Sequence, residues 1–227
     1  MTTDRIVVEK DGQRLARLAY ERLIDLILSG QIKGGETIQE RRLADRLGVS
    51  RSPIREALIL LEGEGILTRQ SGGLLQVKQF TVTDYVQSLQ IRRLLEPEAA
   101  RQAVGRIPPA TLADLRTKLQ ALRDFADRPQ GLEPEDGDHR RIDDDLHNTI
   151  LDHCGNALMA DIVRDVRRKT RMFDLRRLPE RFVQTCNEHE HLLDTLERSD
   201  GDAAAAAMTA HLDAVFQSIV TRIGELY

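Results

Sequence analysis

Residues 36–65 read ETIQERRLADRLGVSRSPIREALILLEGEG, and this stretch decides the fold of the N-terminal part of the chain. Two helix-patterned segments meet there at a short turn containing Gly48 and Val49. The first is amphipathic, with Leu43, Ala44 and Leu47 on one face. Ser50 suits an N-cap, and Pro53 falls in the first turn of the second segment, where its missing N–H costs little. That segment repeats Ile54, Ala57, Leu58 and Leu61 at helical spacing and leaves Arg51, Ser52 and Arg55 outside. A supporting helix, a tight turn and a second helix with polar N-terminal residues are what a helix-turn-helix requires to reach into a major groove. Two ordinary surface helices would share the pattern, so the flanks matter.

Upstream, Leu15, Leu18, Ala19, Leu23, Leu26 and Ile27 form an apolar stripe over residues 14–29, ended by Ser29-Gly30. Gly34-Gly35 turns the chain into the motif. Downstream, Ile66–Arg69 and Leu74–Lys78 read as two short strands around the glycine turn Gln70-Ser71-Gly72-Gly73. Helix, helix-turn-helix and hairpin together make a winged helix. The run GQIKGGETIQERRLADRLGVSRSPIREALILLEGEGIL, residues 30–67, resembles the N-terminal domain of GntR-type bacterial transcription regulators. The resemblance covers roughly residues 12–78.

The chain has 227 residues, 41 % of them hydrophobic and 4 % aromatic, without Trp. That is enough for aliphatic cores in one or two domains. No apolar run is read as approaching the roughly 20 residues that span a bilayer, and the N-terminus MTTDRIVVEKDGQ has no export signal. Cys154 and Cys186 are too few for a disulfide scaffold. A soluble cytoplasmic protein is expected, with no membrane partner.

The net charge of −4 does not by itself point to nucleic acid. Residues 1–78 hold 13 Lys/Arg against 11 Asp/Glu, or +2, and residues 79–227 hold 20 against 26, or −6. DNA binding must therefore rest on where particular arginines stand. Arg51 and Arg55 are expected at the exposed start of the second helix, because a planar guanidinium donates two parallel hydrogen bonds to guanine. The resemblance adds Arg41, Ser52 beside the phosphate backbone, and Gly72 at the wing tip. A double-stranded, near-palindromic operator and a homodimer follow from it.

From Thr81 onward only helices are read. Thr83 or Asp84 starts one that stops near Gly105 and Pro108-Pro109, and a second spans about 111–127. An acidic, proline-rich loop follows over 128–140, and further helices near 140–153, 156–177, 180–199 and 202–223. The expected fold class is mainly α: a winged helix-turn-helix over residues 1–78 and an all-helical bundle over 79–227.

All six histidines lie in the bundle, and helical phase separates them. Asp143, His147, Ile150 and Cys154 share one face, as do Phe182, Cys186, His189, Leu193 and Leu196. Met208, His211, Val215 and Ile219 share another, whereas His191 is out of phase and His139 and His153 lie near helix ends. One carboxylate and three imidazoles thus point inward from three helices, the way bundles build metal sites. Such a donor set suits a divalent ion, zinc first, with nickel, manganese or iron compatible.

DDDLHNTILDHCGN (143–156), Glu188-His189 and MTAHL (208–212) resemble the FCD domain of FadR-like GntR regulators. Its metal-binding members use an Asp four residues before a His, a His in an E-H pair and a His followed by Leu. These map onto Asp143, His147, His189 and His211. IRRLLEPEAA (91–100) resembles the domain's first helix, where Arg92 is implied to line an effector pocket. The resulting expectation is a metabolite-responsive regulator, with repression as the expected sign and a small carboxylate as effector. The alternative is a metal-dependent enzyme using the Asp/His cluster, which lacks a general base beyond the ligands and leaves the winged helix unexplained.

Overall fold

The structure is a computed structural model and describes residues 3–126, 136–172 and 181–226. The chain divides into two compact units, and the first gives way to the second at Tyr85–Val86.

The first unit contains α1 (Thr3–Leu28), α2 (Glu40–Leu47), α3 (Arg51–Gly63), β1 (Leu67–Arg69) and β2 (Leu75–Val77). Gly48 ends α2 in the left-handed conformation (φ 67°), and Ser50 opens α3 in an extended one, without a side-chain capping bond. That φ favours glycine and lets the chain reverse between the two helices. Ala19, Leu23 and Ile27 of α1 pack with Leu43, Ile54, Ala57, Leu58 and Leu61 into one core. The expected α1 stripe needs correction: Leu15 and Leu18 are exposed, and Ala16 is buried instead. The helix also starts earlier than expected. Its inward face turns on a 3.6-residue period that carries Ala16, Ala19, Leu23 and Ile27.

β1 and β2 pair antiparallel, Leu67 with Val77 and Arg69 with Leu75. The sequence did not suggest what β2 meets on its other edge. Gly35 N–H donates to Val77 O, Val77 N–H to Glu36 O and Ile38 N–H to Leu75 O, so residues 35–38 cover that edge.

The second unit is built from α4 (Val82–Ala103), α5 (Pro109–Ala126), α6 (Asp136–His153), α7 (Ala157–Met172), α8 (Phe182–Glu197) and α9 (Gly201–Leu226), apart from the first residues of α4 up to Tyr85 and the last of α7 from Lys169, which group with the first unit. Neither Thr83 nor Asp84 caps α4. Thr81 does, with its hydroxyl accepting the Asp84 N–H and its own N–H donating to the Asp84 carboxylate. The helix α6 begins four residues before the expected start, while residues 128–135 of the expected loop lie outside the described residues. Ala99, Leu119, Leu146, Ile150, Val163, Leu192 and Met208 come from all six helices into one core. Ala204, Ala205 and Ala207 are buried, and their small side chains let α9 lie close to its neighbours. Contrary to expectation, Gly201–Thr221 is apolar and long enough to cross a membrane by length and composition. Its buried face instead completes the bundle core and carries His211.

Candidate metal centre and nucleic-acid interface

Asp143 and His147 stand one turn apart on α6, His189 lies on α8 and His211 on α9. Each offers one ligand atom, and the four atoms all lie within 4.8 Å of one another. The three imidazoles are buried and Asp143 is half-buried. Asp143 Oδ1 lies 3.4 Å from His189 Nε2 and 3.7 Å from His147 Nε2. His191 is exposed, and His153 gives Nδ1 to its own helix at Thr149 O.

Two further carboxylates set the ring orientations. His147 Nδ1 lies 2.6 Å from Glu96 Oε2, and His211 Nδ1 lies 2.8 Å from Glu188 Oε2. Burial would raise the Glu96 pKa, but Arg92, His147 and Arg167 hold it well below the usual range. An ionised carboxylate only accepts, so the proton sits on His147 Nδ1 and leaves Nε2 bare. That Nε2 is buried with no hydrogen-bond partner among the described residues. A buried bare nitrogen beside a carboxylate and two more imidazoles is a donor set that fits a divalent metal.

Arginines balance the acids. Arg167 donates to Asp143 Oδ2 at 2.8 Å and lies 3.7 Å from Glu96. Burial raises the Asp143 pKa, yet Arg167 and the imidazoles hold it well below the usual range. Arg181 bonds Glu188 and Ser218. Arg92, the expected effector residue, is buried and paired with Glu96 at 2.5 Å. Sequence reading missed Glu96, Glu188 and Arg181 as members of the cluster. The i, i+4 spacing of Arg92 and Glu96 was the one local signal, since pairs so spaced meet on a helix.

Burial and the Arg167 charge push the His147 pKa from 6.5 down to about 4. The unfolded chain therefore takes up a proton at this residue before the folded one does. The corresponding stability is present above pH 6.5 and is lost as pH falls towards 4, amounting to roughly 3 kcal/mol. Urea unfolding of the metal-free protein should show the midpoint falling across that window, and His147→Gln should flatten the profile there.

In the first unit, Arg51, Ser52 and Arg55 are exposed on the first two turns of α3, and Arg41 is exposed on α2. Arg55 Nε bonds Glu40 Oε2 at 2.8 Å across α2 and α3. Gly72 is exposed at the hairpin tip with φ 100° and open space around it. Arg69 ties the wing to α3, bonding both Glu62 carboxylate oxygens and the Gly73 carbonyl. Arg51, Ser52 and Arg55 thus stand on an exposed helix start, and a separate arginine, Arg69, braces the wing.

Residues 15–77 match the profile of bacterial regulatory proteins of the gntR family, and residues 87–214 match the FCD domain. The chain belongs to the GntR family and carries an FCD domain. It is 28 % identical over 207 residues to the HTH-type transcriptional regulator LutR of Bacillus subtilis, covering 82 % of this chain and 93 % of that one. With the HTH-type transcriptional repressor RspR of Escherichia coli it shares 26 % over 193 residues, 83 % and 81 % of the two chains. Its fold is similar to that of E. coli McbR/YncC, with TM-score 0.76 and 19 % identity over 92 % of this chain and 98 % of that one. The protein is a DNA-binding transcription regulator and not an enzyme. Regulators of this family bind operators and commonly act as dimers, and FCD domains commonly bind metals.

Proposed function

We propose that this GntR regulator is a cytoplasmic, homodimeric repressor that binds a near-palindromic operator through Arg41, Arg51, Ser52, Arg55 and Gly72 of a DNA-binding domain over residues 1–78. Its helical domain, residues 79–227, holds a divalent metal on Asp143, His147, His189 and His211, zinc first, with nickel, manganese or iron compatible. A small carboxylate completes the metal's coordination and alters operator affinity, with Arg92 and Arg167 as the nearby fixed cations. The observation that carries the reading is the meeting of four ligand atoms within 4.8 Å in the bundle interior. The effector acts by favouring one arrangement of the paired DNA-binding domains. Four residues separate the end of β2 from the start of α4, so α4 is the direct covalent route between the two.

The test is a thermal-shift screen of the metal-loaded protein against organic and sugar acids, followed by operator titration with each hit. A bound acid raises the midpoint by mass action and the same acid changes operator affinity. Purified protein that takes up no divalent metal would overturn the centre, and effectors confined to uncharged compounds would overturn the carboxylate. Sedimentation of the full chain at micromolar concentration should give a dimer; a monomer would remove the symmetric operator.

A further inference from the structure

Glu96 has a position that the four-ligand reading does not use. It lies on α4, the helix that begins just after the wing, whereas the ligands lie on α6, α8 and α9. Its carboxylate is buried and meets three cationic or hydrogen-bonding groups from three helices. Arg92 of α4 lies 2.5 Å from Oε1, His147 of α6 lies 2.6 Å from Oε2, and Arg167 of α7 lies 3.7 Å from Oε2. Arg167 in turn reaches Asp143 at 2.8 Å. Glu96 is therefore one hydrogen bond from a ligand imidazole and, through the Arg167 ion pair, one charged neighbour from a ligand carboxylate.

We propose that Glu96 is the positioning residue of the metal centre: it fixes His147 with Nε2 bare, and it makes the setting of α4 depend on what the centre holds. This rests on the metal reading of Asp143, His147, His189 and His211. The first half follows from hydrogen-bond chemistry, because a carboxylate on Nδ1 selects the tautomer and orients the ring. The second half follows from connectivity. A group bound between the ligands draws His147 and Asp143 towards it, and their partners Glu96 and Arg167 move with them or lose their bonds. A carboxylate entering the centre also competes with Glu96 for Arg92 and Arg167. Either event reaches α4 through Glu96, next to Pro97, whose missing N–H already removes one helix hydrogen bond.

The test compares the full-length protein with Glu96→Gln, using Co2+ as the probe. The amide keeps the shape and can still accept from Nδ1–H, but it loses the charge and no longer forces one tautomer. Co2+ affinity should fall about 10- to 100-fold, the range seen on removing such outer partners, and the visible ligand-field spectrum should change. In wild type, Co2+ loading should slow amide hydrogen exchange in residues 86–103; in Glu96→Gln this protection should largely vanish. Should the single variant fail to fold because Arg92 is left buried and unpaired, the double variant Arg92→Met with Glu96→Met removes the pair together and should show the same two losses. Wild-type affinity and spectrum in a folded variant would overturn the positioning role. Undiminished α4 protection would overturn the coupling. Wild type that binds no Co2+ would sink the metal reading itself, a distinct outcome visible before any variant is made.

Discussion

His189→Ala should leave the purified protein without its metal, while His191→Ala, two residues along the same helix, should retain it. Two residues advance about 200° around an α-helix, and the structure places the pair accordingly: His189 is buried with Nε2 3.4 Å from Asp143, and His191 is exposed. Loss of a ligand should cost more than the roughly 10- to 100-fold in affinity that follows loss of an outer-shell partner. Elemental analysis per protomer after dialysis reads the result directly, with far-UV circular dichroism confirming that the helices persist. Because three helices share the centre, the wild-type protein should also melt at higher temperature with metal than without it, and His189→Ala should lose that increment. Full occupancy in His189→Ala together with an empty His191→Ala would show that helical phase selected the wrong histidine.

Arg51→Ala and Arg55→Ala should each weaken operator binding by about 1–3 kcal/mol if the side chain makes a bidentate base contact. The two residues differ in what they leave. Arg55 must give up Glu40, to which it is bonded at 2.8 Å. That pair is solvent-exposed, and exposed pairs are worth at most about 1 kcal/mol, so exchanging it for a guanine still favours the complex. Glu40→Gln should accordingly tighten binding slightly by releasing Arg55. Operator affinity measured at fixed salt checks all three, since phosphate contacts make any comparison across salt concentrations misleading. Unchanged affinity in both arginine variants would remove α3 as the reading helix.

Much of the winged helix was legible because its signals are local. Gly48, Ser50 and Pro53 mark one turn, and the hydrophobic period of Ile54, Ala57, Leu58 and Leu61 marks one face; all four of those apolar residues are buried. The α1 stripe was partly misread because leucine and alanine alternate around that helix, and hydrophobicity alone does not say which the neighbour has room for. Residues 35–38 went unread as an edge partner for β2, since their pairing is with backbone and leaves little trace in side-chain pattern. In α9, composition alone would pass for a membrane span, and only the fold shows that Ala204, Ala207, Met208 and Leu212 line the bundle core.

For the helical domain, the sequence determined which residues face inward. Asp143, His147, His189 and His211 are each in phase with apolar neighbours, and these four are the ones whose ligand atoms converge within 4.8 Å. Periodicity assigns a face, and it cannot assign a partner on another helix. The tertiary structure alone brings Glu96 to His147, Glu188 to His211 and Arg167 to Asp143, at separations of 51, 23 and 24 residues. The Glu96 contact decides which nitrogen of His147 carries the proton, and the cations around Glu96 and Asp143 keep those two carboxylates ionised, because a charge in a buried site answers to whatever lies within a few ångströms in space. The chain's own period sets which face carries these four side chains. Their chemistry is set by neighbours that only folding supplies.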